Sequence, residues 1–145
     1  MKIAIGSDHA GFELKEAIKK HLIGEGHEVL DEGTHSLDPV DYPIYGAKVG
    51  QAVVNKEADL GIVCCGSAEG ISIAANKVKG VRCGIGYNLA VSHLLRQHNN
   101  GNVIAFGGRF MTPEEVFPRV DEFLKTPFDG GRHQRRIDEI SALEK

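Results

Sequence analysis

The sequence predicts a three-layer, doubly wound α/β sandwich of Rossmann-like type, with a five-stranded parallel sheet and a helical tail at the C-terminus. Three observations predict it. Short β-rich runs alternate with amphipathic segments along most of the chain, the order that builds parallel strands joined by right-handed helical crossovers. The run 58–65, ADLGIVCC, is nearly apolar throughout, as a strand covered on both faces must be. The chain has 145 residues, 41% of them apolar and 26% charged, which suits one globular core. It contains no repeat, low-complexity tract or linker, so 1–145 is read as a single domain.

Each element follows from local pattern. KIAIG (2–6) reads as a strand. In 11–26, Phe12, Leu14, Ile18 and Leu22 recur near helical spacing and the run ends in glycines, a helix with its stop. HEVLD (27–31) is a second strand, and 41–55 a helix opened by Pro43. After the apolar strand 58–65 comes a short helix at 68–77, then a strand, VRCGIG (81–86), and a helix over 88–98. NVIAFG (102–107) is the fifth strand. The segment 112–125 is a helix with Thr112 at the N-cap and Pro113 in the first turn. The tail 128–145 begins at Gly130-Gly131, carries Arg132, His133, Arg135 and Arg136, and closes on IDEISALEK, a short amphipathic helix. Such a tail has little core left to join, and a second subunit is the expected surface for it.

Composition excludes several roles. A net charge of −3 argues against nucleic acid as the main partner, because phosphate-backbone binding needs a basic face. No apolar stretch approaches the ~18 residues of a membrane-spanning helix. The opening MKIAIGSDHAG has one Lys and then a strand-like pattern, too short for the apolar region of a signal peptide. Three cysteines, an odd number in a chain with a sizeable core, point to a reduced, cytoplasmic protein. Neighbouring Cys64 and Cys65 should face opposite sides of a strand, which argues against a disulfide between them. With no CxxC or HExxH and with scattered histidines, the sequence offers no metal site.

Sites in doubly wound folds lie beyond the carboxyl ends of the strands. Asp8 and His9 follow the first strand, Cys65 to Gly70 the third, and Arg109 the fifth. The stretch CCGSAEGISIAANK (64–77) admits three readings. It is a tight turn beside a buried cysteine, a nest of backbone N–H groups that holds an anion or a developing oxyanion, or a redox pair of thiols. In the second reading Cys65 sits where a helix N-terminus lowers a thiol's pKa, as a base or nucleophile. Cys64 and Cys83 are assigned to the core. Asp8-His9 could bind a sugar hydroxyl or handle a proton, or simply cap a helix. His98 and Asn99 end a helix, where the dipole favours a cationic His and Asn commonly stops the chain. Arg132 and Arg136 are four apart and share a face if the tail is helical there, and guanidinium forks suit a phosphate.

With these motifs assembled, the sequence resembles the B-type ribose-5-phosphate isomerases and the related galactose-6-phosphate isomerase subunits. The resemblance runs nearly end to end, through IGSDHAGFELK, GTHSLDPVDYP, CGSAEGISIAANK, RQHNNGNVIAFGGR and PFDGGRHQRRI. The GGRHQRR tail and the strand-end cysteine favour the ribose-5-phosphate branch. The resemblance implies an aldose–ketose isomerase of pentose phosphate metabolism that interconverts ribose 5-phosphate and ribulose 5-phosphate with no metal or organic cofactor. It implies Cys65 as the base that moves a proton between C2 and C1, and His98, with Asp8, in opening the furanose ring. Gly66, Ser67, Ala68, Glu69 and Gly70 resemble the anion hole. His9, Arg109, Arg132 and Arg136 resemble the phosphate- and substrate-binding set, with Asn99 on a sugar hydroxyl. Family members are dimers or pairs of dimers with sites built across the subunit interface. The alternatives are the same chemistry on a six-carbon sugar phosphate, such as allose or galactose 6-phosphate, and a catalytically silent sugar-phosphate-binding module.

One departure stands out. The family loop usually reads Cys-Gly-Thr-Gly-x-Gly, and here it reads Cys-Gly-Ser-Ala-Glu-Gly. Ala68 is less permissive than Gly. Glu69 would oppose a bound enediolate unless its carboxylate turns outward, which is the expectation.

Overall fold

The computed structural model describes residues 1–144. Five parallel strands lie in the order β2-β1-β3-β5-β4. In chain order the elements are β1 (Lys2–Ser7), α1 (Phe12–Gly24), β2 (Glu28–Asp31), α2 (Tyr42–Val54), β3 (Leu60–Cys65), α3 (Glu69–Asn76), β4 (Cys83–Ile85), α4 (Leu89–Gln97), β5 (Val103–Gly107), α5 (Pro113–Lys125) and α6 (Arg132–Ser141). The strand order reverses direction between β1 and β3, which places a crevice at their carboxyl ends. Register continues to the tips there, with Ser7 beside Cys64 and Cys65 beside Gly107.

Alternation along β3 divides the core. Ile62 and Cys64 pack with Ile3, Ile5, Ile104 and Phe106 against α1 and α5, through Leu14, Ile18, Val120 and Phe123. Val63 and Cys65 face the other way, with Ala4 and Ala105, toward Val49 and Ala52 of α2 and Ile71 and Ala75 of α3. The two neighbouring thiols therefore lie on opposite faces of the sheet, as strand geometry requires. Burial pushes the Cys64 thiol pKa up, with a contribution from Cys65. Cys83 differs from the core reading: it is half-buried, because β4 is an edge strand.

The helix signals have physical counterparts. Thr112 accepts from the Glu115 N–H at 3.2 Å while Glu115 accepts from the Thr112 N–H at 3.1 Å, a reciprocal cap. Asn88, a cap the sequence reading did not name, accepts from the Val91 N–H at 2.8 Å. Four strands are shorter than the sequence predicts: 27–31 and 102–107 lose their first residue, 58–65 begins at Leu60, and 81–86 shrinks to Cys83–Ile85. The tail helix starts earlier than IDEISALEK. Gly130 and Gly131 take positive φ (69° and 55°), and the helix begins immediately after them. Its buried face is His133 and Ile137, four residues apart, packed on its own chain. The Glu144 carboxylate also accepts from the Gly80 N–H. No helix among the described residues is long and apolar enough to cross a membrane.

Candidate active site

At the carboxyl ends of β1, β3 and β5 a cavity of about 470 Å³ is lined by Asp8, His9, Ala10, Tyr42, Cys65, Gly66, Ser67, Gly70, Arg109 and Phe110. Three sequence segments that the reading treated separately thus converge on one space. Backbone hydrogen bonds hold them together. Asp8 N–H donates to the Cys64 carbonyl at 3.3 Å, Gly108 N–H to the Cys65 carbonyl at 2.8 Å, and Arg109 N–H to the Gly66 carbonyl at 3.0 Å. Gly11 is required at its position, because a Cβ there would collide with the Cys64 carbonyl. That close approach seats the start of α1 on the tip of β3.

The polar groups are partly committed. Asp8 is buried, and its Oδ1 accepts from the Gly11 N–H at 3.0 Å. His9 Nδ1 lies 3.1 Å from the Val40 N–H and 3.3 Å from the Val40 carbonyl, so the backbone of Val40 orients the ring. Arg109 folds back over Gly66: a Cβ on that glycine would lie 3.2 Å from its guanidinium nitrogen. The cationic fork therefore stands beside the mouth of the loop that follows Cys65.

The loop itself turns through Ala68, which sits at φ 77°, ψ −18°, in the left-handed region, and is fully buried. This is the departure the sequence raised, and the backbone does adopt the conformation that glycine favours there. The Ser67 hydroxyl accepts from the Glu69 N–H at 3.2 Å, so that N–H is engaged. Glu69 is exposed in the first turn of α3, an acidic residue favoured by the helix dipole, and is not one of the residues lining the cavity.

Four candidates lie elsewhere. A parallel strand and its crossover helix run in opposite directions, so α4 and α5 both end at the amino edge of the sheet. His98 and Asn99 therefore stand at the opposite edge from Cys65, on the order of 15–20 Å away by strand length. Arg132 and Arg136 are on α6 at that same edge, where Asp129 N–H donates to the Gln97 carbonyl at 3.0 Å. The rings of His98 and His133 stack with centroids 4.3 Å apart. Burial, aided by His98, Arg132 and Arg136, pushes the His133 pKa down. The donor atoms of His98, Asp129 and His133 lie within 4.8 Å of one another, as do those of His21, Glu25 and Asp121. These histidines, scattered in sequence, are gathered by the fold. Asn99 lines a separate, largely apolar cavity of about 530 Å³ with Cys83, Leu95, Ile140 and Leu143.

The sequence reading missed Tyr42 and Phe110 as lining residues. Tyr42 lies within the DYP stretch that supported the resemblance, but only tertiary packing shows its ring against Gly70, where a Cβ would meet ring carbons at 2.5–3.0 Å.

A parallel α/β sandwich that carries a strand-end thiol, a glycine-rich loop and an arginine around one crevice is the frame of an enzyme acting on a small anionic molecule. The chain belongs to the Ribose/Galactose Isomerase family, whose model matches residues 3–140. It is 46% identical over 144 residues to the ribose-5-phosphate isomerase B of Escherichia coli, covering 99% of this chain and 97% of that protein. The crystal structure of a ribose 5-phosphate isomerase from Thermotoga maritima superposes with a TM-score of 0.96 at 51% identity, covering 97% of each chain. That of ribose-5-phosphate isomerase B from Mycoplasma genitalium, with ribulose-5-phosphate bound, gives a TM-score of 0.93 at 44% identity, covering 99% of this chain and 95% of that one.

Proposed function

We propose that this protein interconverts ribose 5-phosphate and ribulose 5-phosphate through an enediolate, as a homodimer whose sites draw on both subunits. The observation that carries the reading is the convergence of Cys65, Gly66, Ser67, Gly70, Asp8 and Arg109 on one cavity. In the forward direction the Cys65 thiolate takes the proton from C2 of the open-chain aldose. The C2 electron pair forms the C1–C2 double bond as the carbonyl electrons move onto O1, the hydroxyl proton passes from O2 to O1, and the carbon-bound proton returns to C1 to give the ketose. Such a C–H is acidic only if the oxygen beside it is stabilised as charge develops, and the loop N–H groups supply that. Because the Glu69 N–H is taken by Ser67, the donors assigned to this task are those of Ser67 and Gly70. Arg109, whose guanidinium lies over Gly66, is the cation this subunit offers the anionic group, and holding that group positions the reacting carbons.

His98 is the acid assigned to ring opening, with Asp8 beside the sugar. It stands at the far edge of its own sheet, so it serves the cavity of a second subunit, together with Asn99, Arg132 and Arg136. The reading of the protein as cytoplasmic rests on its reduced cysteines and its metabolic relatives.

The test is ketose formation from ribose 5-phosphate in reductant and chelator, with Cys65→Ala alongside. We expect the variant to lose about 10²–10⁴-fold in kcat, the usual worth of a positioned acid–base group. Conversion that survives in Cys65→Ala would remove the thiolate from the mechanism.

A further inference from the structure

Phe110 is unused by the mechanism above. It lines the cavity with Cys65 and Arg109, yet is 76% exposed. A phenyl ring left in water costs roughly 25 cal/mol per Å² of apolar surface, regained only when something covers it. Here the ring stands on the rim of a cavity that it shares with a second aromatic side chain, Tyr42, and with the polar groups of Asp8, His9, Ser67 and Arg109.

The backbone that carries it is fixed relative to the thiol. The turn that carries it is closed by the Phe110 N–H and Met111 N–H, both donating to the Gly107 carbonyl, at 3.1 and 3.0 Å. Gly107 is the register partner of Cys65, and Gly108 and Arg109 donate to the carbonyls of Cys65 and Gly66. The cavity's Tyr42 is fixed too, through its ring packed on Gly70. The reacting end of the cavity and its rim are therefore separated by a backbone-defined length.

The family as described takes in both ribose and galactose, a five-carbon and a six-carbon sugar. A substrate held at its carbonyl end by Cys65 and at its anionic end by an arginine cannot shift either anchor. One additional hydroxymethylene must then bulge sideways, toward the mouth, where Phe110 stands. We infer that Phe110 is a specificity-determining residue. Its ring covers the C–H face of a five-carbon chain and fills the space that a six-carbon sugar phosphate would need. This rests on the isomerase reading above.

The experiment compares kcat/KM for ribose 5-phosphate and for allose 6-phosphate in the wild type, Phe110→Leu and Phe110→Ala, with molecular mass measured for each. A misfit of about one methylene in a pocket is worth 10–200-fold. We expect Phe110→Ala to move the ratio at least tenfold toward the six-carbon sugar, Phe110→Leu to fall between, and the loss on ribose 5-phosphate to lie mainly in KM. A ratio unchanged within threefold in both variants overturns the inference. So does a variant that changes subunit assembly while the ratio stays constant, which would make the ring a subunit contact. A wild type that turns over neither sugar overturns the isomerase reading itself, and this inference with it.

Discussion

The two edges of the sheet are joined by different means. At the carboxyl edge, backbone meets backbone: the tips of β1, β3 and β5 and the loops after them exchange hydrogen bonds, so Asp8, Cys65 and Arg109 are placed by main chain. At the amino edge, side chains carry more of the load. His98 stacks on His133, the Arg96 guanidinium donates to the Thr126 and Gly101 carbonyls at 3.3 and 2.7 Å, and Glu144 reaches Gly80. Arg132 and Arg136 stay exposed there. The first edge is a cavity preorganised by its backbone. The second is a cluster of exposed arginines and stacked histidines beside the cavity that Asn99 lines.

The comparison breaks most decisively by mixing defects. A Cys65→Ala subunit and a His98→Asn subunit are each expected to lose about 10²–10⁴-fold alone. If each cavity takes its thiol from one subunit and its imidazole from the other, co-folding the two variants restores an intact cavity in every mixed dimer. Random pairing then recovers about a quarter of wild-type activity, as two-fold symmetry demands. A mixture no more active than its components would mean that the two edges never meet across subunits.

The carboxyl edge has a buried support that can be titrated. Lys15, fully buried, donates to both Asp31 oxygens at 2.7 and 2.9 Å, and Asp31 accepts from the Gly33 N–H at 2.9 Å. The loop that follows then donates from Thr34 to the Ser7 carbonyl at 2.9 Å. Burial pushes the Asp31 carboxyl pKa up, but bonds from Lys15, Gly33 and Lys19 outweigh it and hold the pKa below the usual value. Removing one partner of such a pair costs about 3 kcal/mol. Asp31→Asn should therefore lower stability by that order at pH 7, measured by urea unfolding. A depressed folded pKa gives stability that is complete above the unfolded value of about 3.9 and is lost as pH falls through the folded one. The gap between wild type and variant should close in that acid window. A gap of constant size down to pH 2 would mean the effect is packing.

Much of the carboxyl edge was legible in sequence for a physical reason. Strand periodicity fixes where each strand ends, and a doubly wound fold brings those ends together, so Asp8, Cys65 and Arg109 fall on one crevice without knowledge of a single contact. The other edge was not legible in this way. Arg132 to Arg136 carry almost no apolar signal, so the pattern predicts the helix only from Ile137, five residues after its start, because the first residue of its buried face is a histidine, His133. Lys15 was hidden too, because a lysine reads as surface until its strand partner is known. Pairings such as His21 with Asp121 at 2.9 Å, or His93 with Glu122 at 2.8 Å, are tertiary and leave no local trace. Tyr42 and Phe110 were missed for the same reason: lining a cavity is a property of where neighbouring loops stop.

The smallest effect tests how firmly the carboxyl edge is set. Ala68 holds a left-handed backbone that costs an L-residue roughly 1–2 kcal/mol relative to glycine. Glycine there removes that strain but forfeits a buried methyl worth about 0.8 kcal/mol. It also loosens the unfolded chain by about 0.4–1 kcal/mol. The three contributions nearly cancel, so Ala68→Gly should move stability by less than about 1 kcal/mol in either direction. If the flanking hydrogen bonds of Gly108 and Arg109 already dictate the loop, the N–H groups assigned to the anion hole keep their positions, and kcat should stay within about threefold, well under the 10²-fold loss of a whole donor. A larger change in kcat at unchanged stability would show that the residue at this position, and not the surrounding ladder, sets the loop. The carboxyl edge would then be less rigid than its backbone bonds imply.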